Sequence, residues 1–328
     1  MTLLLTGSSG YIGHRLIPTL KKQGARVRGV DRVSHPEDAC DAFIRGDLCD
    51  PSVTAQAVQD VDQIVHLAAA KGDWGISEEE YYRDNVEATR VLLEAGTEAG
   101  VKDWVFYSTV SVHGPSEEGA DEDASFTPID PYGASKADAE RLFWEYADEH
   151  PDACVLIVRP SVVFGPENPD STNIYRLMEA IYTRRFVMVG PGNAVKSTSY
   201  ITNLIEATRF LMEQHTDGID AYIYVDEPPM TTGEMVHVIY EMLGRSQPSL
   251  RVPLSVAAPI ATVSDLLADV TGIDLPITSA RIKKFNRSTF FDAEAIRDEG
   301  FQQPVSMREA FRRTLAWHLD AVHNEALY

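Results

Sequence analysis

The chain has 328 residues, 44% hydrophobic and 24% charged, with 29 Lys and Arg against 50 Asp and Glu and a net charge of −21. That length can bury a substantial core, and the negative balance argues against nucleic acid and anionic membrane surfaces as partners, though it also fits a salt-adapted host. Cys40, Cys49 and Cys154 are odd in number and show no metal-ligand spacing, so they read as reduced thiols of a cytoplasmic protein without a metal site.

Residues 2–6 are an apolar run that predicts a first strand, leaving no room for a signal peptide ahead of it. Gly7-Ser8-Ser9-Gly10-Tyr11-Ile12-Gly13 follows at once, and residues 14–20 read as a helix despite Pro18 inside it. Strand, glycine-rich turn and helix are the context in which such a turn cradles a dinucleotide. One glycine makes the turn, one admits the pyrophosphate, one lets helix and strand pack, and the helix N-terminus meets the phosphate charge. The second strand, residues 25–30, ends at Asp31, about twenty positions on, where an acid takes the ribose hydroxyls of NAD and repels the extra phosphate of NADP. Asp31 therefore makes NAD the expected cofactor, while Arg32 beside it can pair with such a phosphate and leaves NADP as the less favoured one.

Residues 42–45 form a third strand before Gly46-Asp47-Leu48, whose Asp47 and Leu48 are placed to hold the adenine. Asp50-Pro51 starts a helix by an N-cap followed by proline. Residues 61–69 read as a buried fourth strand ending in Leu67-Ala68-Ala69, small enough to let a cofactor lie against the backbone, with His66 as a packed residue and Lys71 close by. Asn85 opens a helix over 86–99. Residues 104–107 are the fifth strand, followed by a loop with Ser108, Thr109 and Ser111, the first and last of which are assigned to ordinary turn hydrogen bonds. Residues 117–123 are a solvated acidic loop.

Asp130-Pro131 caps another helix, on which Tyr132 and Lys136 lie four residues apart and project from one face. A phenol beside an ammonium makes an acid–base catalyst, the positive charge lowering the phenol's pKa. Residues 154–159 form a sixth strand running into residues 160–166. Beyond it the alternation becomes irregular, although a turn and helix at 199–212 and a strand at 220–225 return to the sheet. Thr231-Thr232-Gly233-Glu234 and Ser306-Met307-Arg308-Glu309 match the capping box. The apolar stretch 252–263 holds two prolines and is too short to span a bilayer.

These motifs resemble the extended short-chain dehydrogenase/reductase family, in its branch of NAD-dependent sugar-nucleotide epimerases and dehydratases. The resemblance rests on the glycine turn, Asp31, Gly46-Asp47-Leu48, His66-Leu67-Ala68-Ala69, Asn85-Val86, Ser108-Thr109, Tyr132 to Lys136, and Arg159 through Gly165-Pro166. It implies an α/β fold, a Rossmann-type doubly wound parallel sheet with a smaller C-terminal substrate-binding lobe. Residues 1–165, with about 198–226 returning, would bind NAD, and 166–328 would mainly hold substrate.

By the same resemblance, Tyr132 is the general base, Lys136 holds the nicotinamide ribose and lowers the Tyr pKa, and Thr109 holds the reacting oxygen. Gly7, Gly10, Tyr11, Ile12, Gly13, Asp31, Asp47, Leu48, Ala68, Lys71 and Asn85 line the cofactor, with Pro160 and Val162 near the nicotinamide. A homodimer through helices flanking the sheet is implied too.

Departures narrow the chemistry. Dehydratases of this branch carry Asp-Glu after the catalytic Thr, where this chain has Val110-Ser111. Lys196 stands where an Arg often contacts a nucleotide phosphate, Val162 where many relatives have Asn, and His113 where Tyr is usual. The expected activity is 4-epimerisation or oxidation of a secondary hydroxyl on a sugar, most naturally a nucleotide sugar. A 3β-hydroxysteroid dehydrogenase-like alcohol dehydrogenase is one alternative, and a non-catalytic dinucleotide sensor another.

Overall fold

The computed structural model describes residues 1–34, 39–72, 75–168, 172–271 and 278–325. Seven apolar segments form one sheet: β1 (Thr2–Thr6), β2 (Arg26–Asp31), β3 (Ala42–Arg45), β4 (Gln63–His66), β5 (Asp103–Tyr107), β6 (Cys154–Pro160) and β7 (Gly218–Tyr224). Their order is β7-β6-β5-β4-β1-β2-β3, and every neighbouring pair is parallel. Leu3 pairs with Val27 on one side and Gln63 on the other, so the chain leaves β1 in one direction for β2 and returns in the other for β4. Above that reversal the helical crossovers diverge and open a crevice at the strand ends.

Both faces of the sheet are covered, which is why the central strands β1, β5 and β6 are nearly continuously apolar, while β2 and the edge strands β3 and β7 carry polar residues. Leu3 and Leu5 face a core with α1 (Tyr11–Lys22), while Leu4 joins Leu92, Trp104 and Phe143 on the opposite face. All three leucines are fully buried, each worth about 2–3 kcal/mol of apolar transfer. The opposite face is covered by α2 (Pro51–Ala57), a composite helix over 78–98, and α5 (Pro131–Glu149). Pro18 lies on the exposed face of α1, away from the packed sheet, and the helix runs through it.

The expected caps form. Asp50 accepts from the Ser52 amide at 2.9 Å and Asp130 from the Gly133 amide at 2.7 Å. Thr231 and Glu234 close a full capping box, whereas at Ser306 only the half from Ser306 Oγ to the Glu309 amide is made, with Glu309 turned instead to Arg312 and Arg313.

One expectation fails here. Asn85 does not open a helix; Ser77 does, through a capping box with Glu80, and α3 (Glu78–Tyr81) runs through a π-helical turn, Tyr82–Glu87, into α4 (Ala88–Glu98). The extra residue of the π turn redirects Asn85 inward, a device that often marks functional positions.

Candidate active site

A cavity of about 350 Å3 lies at the carboxyl ends of β1, β2 and β4. Its floor is the glycine turn. Gly7 has φ +65°, and a Cβ there would stand 2.7 Å from the Ala68 amide, so only glycine permits this backbone approach. A Cβ on Gly10 would sit 3.1 Å from Gly7 O, and one on Gly13 would collide with that same carbonyl. Gly10 is the N-cap of α1 and no side chain caps the first turn, so the helix N-terminus is presented to the cavity as an anion site.

At the end of β2, Asp31 accepts from the Ser9 amide (3.0 Å) and the Val33 amide (3.0 Å), which ties the glycine turn to the end of β2. Arg32 grips Asp84 through Nη1 at 2.7 Å and Nη2 at 2.5 Å, and reaches Asp47 at 3.1 Å. Arg83 bonds Asp47 from the other side. Burial alone would raise the Asp47 carboxyl, but Arg83, Arg32 and the Cys49 amide outweigh it and hold it at about 2.

Of the residues expected at the cofactor, Gly7, Gly10, Asp31, Arg32, Leu48, Leu67, Ala68 and Ala69 line this cavity. Others support it from behind. Gly13 packs under Gly7, and Asp47 acts through the two arginines. Asn85 takes the Ala70 amide at 2.6 Å and donates to Ser135 Oγ at 2.9 Å, joining the β4 loop to α5. Tyr11 turns its hydroxyl to Pro166 O at 3.0 Å, and Ile12 packs against the core. Lys71 is exposed just beyond Ala70, Pro160 is buried and Val162 is exposed in the short strand that follows β6, all outside the cavity lining.

Ser9, Val33, Ala70, Asp84 and Ala88 line the cavity and were not expected. Ser9 was legible as a member of the turn, and Asp84 and Ala88 as neighbours of Asn85 on the same helix.

His66 is fixed by a directed chain. Thr6 Oγ1 accepts from the Leu67 and Ala68 amides at 3.2 and 3.1 Å, so its proton goes to His66 Nδ1 at 2.7 Å. His66 Nε2 then donates to Thr89 Oγ1 at 2.9 Å, whose own proton goes to Asn85 O. Burial, helped by Lys136, pushes this imidazole down to about 3, and it stays neutral as a packed residue.

Thr109, just past the end of β5, meets Tyr132 at the start of α5, with Lys136 one turn further along that helix. Thr109 Oγ1 accepts from the Ser111 amide at 3.2 Å and hydrogen-bonds the Tyr132 phenol. The Tyr132 ring lies 6.1 Å from that of Tyr81. Burial pushes the phenol upward, against the Thr109 bond, and draws the Lys136 ammonium down to about 7 against the pull of Glu140. In the protein alone burial outweighs any lowering of the Tyr132 phenol by Lys136. Lys136 leans over the Phe106 ring, and desolvation dominates both groups. Ser108 departs from its assigned turn bond as well: its Oγ is buried without a hydrogen bond, whereas Ser111 does bond Thr109.

Behind the pair, Glu140 and Arg159 form a buried ion pair, Nη2 to Oε1 2.6 Å. Arg159 continues to Glu122 O at 2.9 Å and to His113 Nε2 at 3.3 Å. Lys196, expected where an Arg often contacts a nucleotide phosphate, is held by two backbone carbonyls. Its Nζ donates to Lys284 O at 2.7 Å and Arg287 O at 2.5 Å, and burial brings it down to about 8.

The model of the NAD dependent epimerase/dehydratase family matches residues 3–225. The chain belongs to that family. This epimerase/dehydratase chain is 32% identical over 319 residues to the N-acetyl-alpha-D-glucosaminyl-diphospho-ditrans,octacis-undecaprenol 4-epimerase of Escherichia coli O157:H7, covering 96% of the chain and 94% of that relative. It is 29% identical over 350 residues to a 3 beta-hydroxysteroid dehydrogenase/Delta 5-->4-isomerase of Mycobacterium tuberculosis (strain ATCC 25618 / H37Rv), covering 99% and 93%. Among solved structures, MoeE5 in complex with UDP-glucuronic acid and NAD superposes with a TM-score of 0.79 at 25% identity, over 98% of this chain and all of that one. The seven parallel strands of this family member are the fold that the resemblance implied.

Proposed function

We propose that the protein is an NAD-dependent epimerase acting on the 4-hydroxyl of a nucleotide sugar. The observation that carries this reading is the juxtaposition of the glycine-cradled cavity at the β1/β4 reversal with the Thr109–Tyr132–Lys136 cluster. The residues fit a dinucleotide. Gly7 and Gly10 leave the room a pyrophosphate needs, the open N-terminus of α1 faces it, and Asp31 stands at the ribose end.

Bound NAD would supply the hydride acceptor and, when oxidised, a positive charge beside the phenol. Thr109 holds the reacting oxygen, and Tyr132 takes its proton as the alcohol becomes a ketone and returns it after re-reduction. Lys136, poised near neutrality, holds the ribose and carries charge to Tyr132. Val110-Ser111 in place of an acidic pair favours epimerisation over elimination. Residues 1–165 with 198–226 form the cofactor domain in this reading, which the entry of β7 into the main sheet supports. The remainder of 166–328 holds substrate. Three free thiols fit a cytoplasmic location, and exposed Tyr82 and Trp144 on the helical layer fit a homodimer.

Purified protein supplied with NAD and UDP-glucose or UDP-N-acetylglucosamine should yield the 4-epimer, read by chromatography of the sugar nucleotides. No conversion of any UDP-sugar would sink this reading. A second reading, oxidation of a hydrophobic 3β-alcohol, is favoured by the apolar helix Leu254–Thr271 and gains if such alcohols reduce NAD instead.

A further inference from the structure

The chain's charge is not evenly spread. Residues 180–205, 242–264 and 275–291 contain none of the 50 acidic residues and nine of the 29 basic ones. These segments come together in the C-terminal lobe. Strand residues Arg251–Val252 pair with Met188–Val189, and Arg251 donates to Pro191 O at 2.5 Å. Phe186 lies 6.3 Å from Phe285, and Lys196 ties the strand at 195–196 to the end of the helix Ser279–Asn286. The result is a basic, acid-free patch within the C-terminal lobe of a chain that is negative overall, with Asp265 at its edge taking the Ser279 amide at 3.0 Å.

The same lobe exposes apolar side chains. Leu250 is 70% exposed, Val256 53%, Val187 50% and Leu254 42%, four of the ten exposed large hydrophobic residues among those described. Arg184, Arg185, Lys283 and Lys284 are exposed around them. Apolar residues rimmed by lysine and arginine are the pattern of a surface that lies in the headgroup layer of an anionic bilayer.

We propose that this lobe docks the protein on an anionic bilayer surface through Val187, Leu250, Leu254 and Val256, with Arg184, Arg185 and Lys283 on the headgroups. The net charge of −21, which argued against such a partner, enforces the orientation, since the acidic remainder is repelled while the basic patch is attracted. The inference does not depend on the proposed reaction, because docking is read without substrate.

The full chain is floated with phosphatidylglycerol vesicles and with phosphatidylcholine vesicles at low salt. It should float with the first and not the second, and added salt should release it. Arg185→Glu with Lys283→Glu should weaken binding by at least about fivefold for each basic residue lost. Leu254→Asp with Val256→Asp should weaken it by at least about tenfold, each variant keeping a native circular dichroism spectrum. Equal behaviour on both vesicle types, or binding that survives charge reversal, overturns the proposal. So does a wild-type dimer that Leu254→Asp with Val256→Asp converts to monomer while neither protein binds vesicles, which would make the face a contact between copies of the chain.

Discussion

Lys136 holds its Nζ 4.0 Å from the centroid of the Phe106 ring, over a side chain of β5 that is itself fully buried. The ring face offsets part of the desolvation of the ammonium, and burial still brings its pKa to about 7. The unfolded chain keeps this proton up to its ordinary value of 10.5, so between those limits the unfolded state binds more protons than the native one. The residue's contribution to stability therefore rises with pH from about 7 to 10.5, and the full penalty of a buried charge is present below 7. Lys136→Met removes the penalty. Its melting temperature should exceed that of the wild type most at pH 6, with the gap closing toward pH 10. A gap independent of pH would show that the ammonium is not desolvated.

Tyr132→Phe removes the one hydroxyl at the end of the Thr109 bond while keeping the ring against Tyr81. Turnover should fall by at least ~100-fold, the usual contribution of a positioned acid–base group, with NAD affinity little changed. Steady-state kinetics together with calorimetric titration of NAD separates the two. Full turnover in the Phe variant would remove Tyr132 from the chemistry.

Arg32 is the cationic side chain beside Asp31, and Asp84 holds it from two atoms. The bond to Asp84, more than the identity of Arg32, keeps the guanidinium from a 2′-phosphate. Asp84→Ala should therefore lower the KM for NADP about tenfold while leaving that for NAD within a few-fold, one charge-assisted bond being worth about 1.5–3 kcal/mol. An unchanged NADP KM would assign the discrimination to Asp31 alone.

Glu140 and Arg159 are both fully enclosed, so removing one charge strands the other. Glu140→Gln should cost about 3–5 kcal/mol in urea unfolding, and adding Arg159→Met should recover most of that loss. If the double variant is as unstable as the single one, the pair is not the unit of stability.

The seven sheet strands along the chain and the glycine cradle were legible because each depends on local pattern: short apolar runs, glycine spacing, and Asp-Pro caps. Asp31 and the Tyr132/Lys136 spacing were legible for the same reason. What was hidden depends on long-range placement. The sign of the Tyr132 and Lys136 shifts follows from burial, which elements distant in sequence supply around α5. The π turn at Asn85 comes from fitting a helix over the β4 loop, and Lys196 is committed by carbonyls ninety residues away. The Glu140–Arg159 pair joins α5 to β6 across 19 residues, with no motif to announce it.

Asp226 offers the clearest pH test outside the site. It is fully buried and accepts from the Tyr200 amide, from Asn203 Nδ2 at 2.8 Å and from the Tyr224 hydroxyl at 2.9 Å. Asn203 also bonds the Val305 backbone, so the carboxylate anchors the C-terminal segment to the helix Ile201–Gln214. Burial raises its pKa from 3.8 to about 6 even against those three donors. The native state then binds more protons than the unfolded chain between about pH 4 and 6, and stability falls across that window by about 3 kcal/mol. Many carboxylates titrate there, so the informative quantity is the difference between wild type and Asp226→Asn, which stays neutral. The stability of the wild type relative to the variant should drop by about 3 kcal/mol from pH 4 to pH 7 and be level above it, measured by urea unfolding. A difference that does not vary with pH would mean that the three donors fully compensate the buried charge.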